Sequence, residues 1–196
     1  MKMFSSLIIL SMTVVQLAQA QIQAGQPSYA GTGCTAGHAR IDLSSNQSIL
    51  SVTFEKFEAL AGGSTGRRID RKACAIRIPF KVVAGYQVSL QATDYRTLIS
   101  LPNDGQAVLD ASYYFVGSAE ATLSKTFDGP HKKIYRAKSE LKNIAGVASE
   151  CGKENVVFGI NISERAVAGL SMQKTQAKLT SAQPVLTYKM NVTKCP

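Results

Sequence analysis

From Cys74 to Val82 the chain alternates strictly, with Cys74, Ile76, Ile78, Phe80 and Val82 in one phase and Ala75, Arg77, Pro79 and Lys81 in the other. A β-strand, whose successive side chains point to opposite faces, turns that spelling into one apolar face. The pattern resumes after Ala84-Gly85 as Tyr86, Val88, Leu90 and Ala92 against Gln87, Ser89, Gln91 and Thr93. Glycine supplies the positive φ that a tight turn needs, so the two runs read as a hairpin with a single apolar face.

The same period recurs along the chain. Ala39, Ile41 and Leu43 alternate with polar neighbours, as do Leu50, Val52 and Phe54, and Ser44 to Ser48 between them is turn material, which predicts a second hairpin. Phe57 falls out of step with Phe54, so either a bulge sits near Glu55 and Lys56 or the strand ends there. Leu98 to Leu101 reads as a short strand before a Pro102-Asn103-Asp104-Gly105 turn, and Ala107 to Phe115 as a long one. Ala121 to Phe127 reads as a further strand that Asp128-Gly129-Pro130 ends, and clean apolar faces follow at Val156 to Ile162 and at Leu186 to Val192.

Three stretches are less regular. Leu60 to Lys72 is the most loop-like internal segment, His131 to Lys142 fits a strand or a helical turn, and Glu164 to Leu179 reads as a pair of strands, with a short helix as the alternative. Strand after strand without a recurring helix points to an all-β fold, an antiparallel β-sandwich of jelly-roll-like type. With 196 residues, 45% of them hydrophobic, the chain can build one core, and residues 34–196 are expected to form a single domain.

At the N-terminus, Lys2 precedes an apolar run from Leu7 to Leu17, and Ala18-Gln19-Ala20 supplies small residues for a signal peptidase. Residues 1–20 therefore read as a signal peptide cut after Ala20, with a secreted or periplasmic product. The run is shorter than the roughly 20 residues needed to span a bilayer, so no transmembrane anchor is expected. Residues 21–33, rich in Gln, Ala, Gly, Ser and Pro, read as a flexible arm. An even set of four cysteines in an exported chain makes disulfides the default. Of the three possible pairings, Cys34 with Cys74 and Cys151 with Cys195 is favoured, because Cys34 opens the first strand and Cys74 the third, whose starts share one end of an up-and-down sheet. Cys151 precedes one late strand and Cys195 closes another, which suits antiparallel neighbours. No close C-x-x-C spacing supports a zinc site.

Lys and Arg outnumber Asp and Glu by 22 to 13, a net charge of +9 that attracts anionic material. Arg67, Arg68, Arg71 and Lys72 make one basic cluster, with Asp70 as an internal partner. Lys132, Lys133 and Arg136 make another, which strengthens an anion site only if the two meet in space. Tryptophan is absent, so a platform of stacked indoles is not available for sugars. Nucleic-acid binding asks for aromatics interleaved with basic residues, but Tyr86, Tyr95, Tyr113, Tyr114 and Tyr135 fit the core better. His38 and His131 sit in no catalytic or metal-binding motif, and no cofactor is implied. Asp94, Asp110 and Glu55 are acidic residues on expected strands that only the fold could bring together. Three sequons, at Asn46, Asn161 and Asn191, matter only in a eukaryotic secretory path.

The order of short motifs resembles a secreted family known as domain of unknown function 4360. The chain carries Gly31-Thr32-Gly33-Cys34, a strand from Ser51 to Phe57, Arg71-Lys72-Ala73-Cys74, a strand from Gly85 to Tyr95-Arg96, Tyr113-Tyr114-Phe115, Gly129-Pro130, Cys151-Gly152 and a strand from Ile160 to Ile162. It departs from that pattern in lacking Trp and in carrying Thr97 where a glycine follows Tyr-Arg. The resemblance implies a secreted, mostly β protein with two disulfides and implies no activity. The function expected from the residues is non-enzymatic contact with an anionic polysaccharide or other envelope or extracellular polymer through a basic surface. The alternative is a secreted glycoside-type hydrolase with carboxylates in a sandwich cleft.

Overall fold

The alternating runs form strands in the computed structural model, which describes residues 21–35, 37–140, 147–179 and 185–196. In chain order these are β1 (Ile22–Ala24), β2 (Ser28–Ala30), β3 (Ala39–Leu43), β4 (Ile49–Phe54), β5 (Phe57–Ala61), β6 (Ile69–Val82) and β7 (Tyr86–Leu101). They continue as β8 (Gln106–Phe115), β9 (Ala121–Asp128), β10 (His131–Glu140), β11 (Asn155–Val167), β12 (Thr175–Leu179) and β13 (Leu186–Lys194). The first sheet runs β6-β11-β8-β9, with β1 and β2 both laid along the free edge of β6. The second is centred on β7, which pairs with β10 along one edge and with β13 and β12 along the other, and β4, β3 and β5 complete it. Every strand pairing is antiparallel, and the two sheets stack as a sandwich. Among the described residues no helix is long and apolar enough to cross a membrane.

The apolar phases meet between the sheets. Ile76, Ile78 and Phe80 of β6, Phe158 and Ile160 of β11 and Leu109 and Phe115 of β8 face Leu50, Val52 and Phe54 of β4, Val88 and Ile99 of β7 and Tyr188 of β13, and all are essentially inaccessible. Phe158 meets Tyr188 edge to face at 5.4 Å, and Tyr113 meets the same ring at 5.7 Å. Each such side chain contributes about 1.5–3 kcal/mol on burial, so the core rather than strand propensity holds the sheets together.

Several local expectations are corrected. The central pair is not a hairpin, because β6 lies in the first sheet and β7 in the second. The turn itself is tight, with the Tyr86 amide donating to the Val83 carbonyl at 3.1 Å and Gly85 at φ 77°, but it carries the chain over the edge of the sandwich. Alternation fixes which face of a strand is apolar and is silent about which strand lies beside it. β7 also runs unbroken to Leu101, and its phase changes midway. Leu90 is paired with Met190 and Ala92 with Lys189, leaving Gln91 as the extra residue of a bulge. Ala92 therefore leaves the apolar face, and Thr93, Tyr95 and Thr97 turn inward.

The stretch expected to be a flexible arm carries β1 and β2 instead. Ile22 lies opposite Val82 and is buried, and Ser28 to Ala30 pair with Ala75 to Arg77. The loop expected over residues 60–72 shrinks to the turn around Gly63–Thr65, since Ile69 to Lys72 already belong to β6. Residues 131–140 are a strand, while 141 and 142 lie outside the described residues. β4 ends at Phe54, as one of the two expectations there had it, and Glu164 to Leu179 holds the end of β11 and β12.

Both disulfides pair as expected, Cys34 with Cys74 at a Cα separation of 5.5 Å and Cys151 with Cys195 at 5.8 Å. Their placement differs from the expected one. Cys34 follows β2 and fastens that edge segment to the middle of β6, where the Gly33 amide donates to the Ala73 carbonyl. Cys195 lies beside the β6-β7 crossover, its amide donating to the Gly85 carbonyl.

Candidate functional site

The outward phases of the first sheet fall into register as rows crossing β6, β11, β8 and β9. One row is Ala73, Ser163, Asp110 and Ser124, and the next is Ala75, Asn161, Ser112 and Thr122. These side chains are small or short. The flanking rows are larger, with Arg71 and Arg165 on one side and Arg77 and Tyr114, across Gly159, on the other. Two low rows between two high ones make a trough across the strands, a depression of about 490 Å³ that Glu120 and Ala30 also line.

Its polar groups are held by one another. Ser124 Oγ donates to Asp110 Oδ1 at 2.7 Å, Asn161 Nδ2 donates to Ser112 Oγ at 3.1 Å, and Arg71 Nη2 donates to Ser163 Oγ at 3.4 Å. Arg77 is committed to the scaffold, with Nη1 donating to the Ile76 carbonyl at 2.8 Å and to Asn161 Oδ1 at 3.1 Å. The end of the Tyr114 ring lies across Gly159, where an added Cβ would stand 2.6 Å from Cζ, and the Arg77 guanidinium lies 5.3 Å from the ring centre. Only glycine leaves room for that ring to lie down on the sheet.

Directly behind the trough, β11 turns Glu164 into the core, fully buried. Burial pushes its carboxyl up to about 8, with the nearby charge of Glu58 adding to the rise and a hydrogen bond from Thr97 opposing it. Thr97 Oγ1 contacts both Glu164 Oε1 and, at 3.1 Å, the Lys178 carbonyl. A hydroxyl has one proton to give, so Thr97 shares it between the Glu164 carboxyl and the Lys178 carbonyl. The same environment, burial first and Glu164 second, holds the Tyr95 hydroxyl well above its ordinary range.

The basic residues singled out in the sequence do not converge. Arg71 lines the trough. Arg67 pairs with Asp70 at 3.5 Å, and Lys72, in the inward phase of β6, reaches the same carboxylate at 3.6 Å. Arg68 precedes β6, and its carbonyl accepts from the Ala168 amide. Lys132 and Arg136 project from β10 on the outer face of the second sheet, the opposite side of the sandwich, with Lys133 in the other phase. Around Lys132 and Arg136, Lys138, Lys178 and Lys189 share that face with Asp94 and Glu58, and Lys178 pairs with Glu58 at 3.8 Å.

Of the acidic candidates, Asp110 alone lines the trough; Asp94 lies on the second sheet and Glu55 pairs with His38 at 3.2 Å. His131 packs on Phe127 at 5.6 Å. Among the described residues no three His, Cys, Asp or Glu side chains gather as a metal site. Sequence reasoning missed Ser112, Ser124, Ser163 and Arg165, and it assigned to the core Tyr114, which lies in the outward phase across Gly159. Their signal was the polar outward phase of β8, β9 and β11, which alternation revealed without saying that the strands are neighbours.

The family model described as "Domain of unknown function (DUF4360)" matches residues 20–195. A curated relative, an "Uncharacterized secreted protein" of Arthroderma benhamiae, is 32% identical over 142 residues, 72% of this chain and 58% of that protein. The chain thus spans less than two thirds of that relative's length. Among solved structures, TmCBM61 in complex with beta-1,4-galactotriose is 11% identical with a TM-score of 0.33, covering 86% of this chain and 88% of that one. The family 11 carbohydrate-binding module of a Clostridium thermocellum cellulosomal cellulase is 6% identical with a TM-score of 0.24, covering 86% and 85%. Both superpositions are too loose to carry a ligand or an activity over to this chain.

Proposed function

Because the chain belongs to the secreted DUF4360 family and folds as a disulfide-bonded β-sandwich, we propose that it is a non-catalytic binding protein that takes an extracellular polysaccharide in the trough of its first sheet. The observation that carries this reading is the pair of short polar rows that line the depression together with Arg71, flanked in register by Arg165 on the Arg71 side and by Arg77 and Tyr114 on the other. Hydroxyl and amide groups fixed along a rigid sheet suit a ligand made of repeated hydroxyls. Binding on the outer face leaves the core untouched.

The hydrolase reading draws on Asp110 and Glu120, which line the same trough. Asp110 is paired with Ser124, so the main chain at Glu120 lies four residues further along the strand direction, roughly 13 Å. Glycosidase carboxyl pairs sit about 5 to 9.5 Å apart, closer than these two backbone positions, so cleavage would require both side chains to lean toward each other.

Retardation of the mature protein in gels containing soluble polysaccharides tests the proposal. We expect retardation by at least one polymer, and Thr122→Trp, which crowds the trough from its exposed wall, to weaken it by about tenfold, some 1.4 kcal/mol. Migration unaffected by every polymer, or full binding by the Trp variant, would overturn it.

A further inference from the structure

Arg71 of β6 and Arg165 of β11 are direct cross-strand partners in the outward phase, and both are exposed. Like charges set opposite each other across a strand pair are destabilising. Among the described residues neither guanidinium has a carboxylate within ion-pair distance, whereas Arg67, Lys72 and Lys178 do. Arg77, one row beyond the low rows, is different in kind, because its Nη1 is held by main-chain carbonyls and Asn161 and its guanidinium lies over the Tyr114 ring. Arg71 lines the trough, steadied by Ser163, and Arg165 stands beside it in the same row.

We infer that the trough reads an acidic polysaccharide, whose sugar carboxylate is gripped by Arg71 and Arg165. The inference rests on the proposed binding function and adds the ligand's chemical class. Two planar guanidinium groups on adjacent strands match the two oxygens of a carboxylate, and an anion between them relieves the repulsion that the sheet otherwise carries. Asp110 and Glu120 line the same depression, so a polymer with more than one charge per sugar, such as dextran sulfate, meets the stronger repulsion along its length. A chain with at most one carboxylate per sugar and hydroxyls elsewhere meets less. Arg165 thereby gains a role that its position in the sequence, 94 residues from Arg71, does not suggest.

The experiment compares binding of the mature protein to polygalacturonate and to its fully methyl-esterified form, which keeps the sugar backbone and loses the charge, with dextran sulfate as a third probe. The expected result is binding to both galacturonan forms, with the free acid held about tenfold more tightly and that advantage shrinking as salt rises. Arg71→Gln and Arg165→Gln should each abolish the advantage, so that the free acid is held no more tightly than the ester. Arg136→Gln, on the opposite face, should leave it intact. Equal binding of acid and ester, an advantage that survives both trough substitutions, or tighter retention of dextran sulfate would overturn the arginine assignment and leave the polysaccharide reading standing. Failure to bind either galacturonan overturns the arginine assignment as stated, and if every neutral polymer is refused as well, the proposed function falls with it. Thermal unfolding of each variant separates lost binding from lost fold.

Discussion

At the scale of single residues, Glu164 is the most consequential side chain that composition alone cannot interpret. Burial lifts its carboxyl from the ordinary 4.5 to about 8, against the opposing pull of the hydrogen bond that the Thr97 hydroxyl donates to it. The folded protein thus keeps a proton that the unfolded chain gives up, so stability is greatest below the unfolded value near 4.5. It falls by about 1.4 kcal/mol per pH unit as pH rises toward the folded value near 8, and levels off beyond it. Glu164→Gln keeps an oxygen that accepts from Thr97 and removes the titration, so urea midpoints measured at pH 5 and pH 8 should converge in the variant and differ in the parent. Identical slopes in the two proteins would mean that the carboxyl is ionised throughout. Gly159 illustrates the opposite case, a residue whose missing Cβ lets Tyr114 lie on the sheet.

At the scale of elements, the N-terminal strands and the crossover carry the lesson. Ile22 packs against the core opposite Val82, so β1 closes the edge of the first sheet. Ile22→Ala should cost about 2–4 kcal/mol, read as a lower urea midpoint with an unchanged m-value, whereas a flexible arm would tolerate it at no cost. The Cys34–Cys74 bridge was legible as a pairing, but its purpose was not, because it fastens β2 to the edge of β6 rather than joining two hairpin starts. The bulge at Gln91 had no sequence signal. A single extra residue turned Thr93, Tyr95 and Thr97 inward, and with them came the polar partner of Glu164.

At the scale of the whole molecule, the two outer faces are chemically distinct surfaces separated by the core. Replacing Lys132, Arg136 and Lys138 together with Gln should lower the salt needed to elute the protein from a cation exchanger and leave binding in the trough unchanged. Parallel loss of both would mean that the faces act as one surface. From its sequence alone this protein was determined to be a β-sandwich with two disulfides, since period-two alternation fixes the apolar face of each strand and export favours cysteine pairing. The tertiary structure alone decided that β6 and β7 belong to different sheets, that Arg71 lies on the opposite face from Lys132 and Arg136, and that Arg165 stands beside Arg71. Neighbours across a sheet are set by long-range pairing among strands of similar pattern, and no local spelling in any one of them encodes that choice.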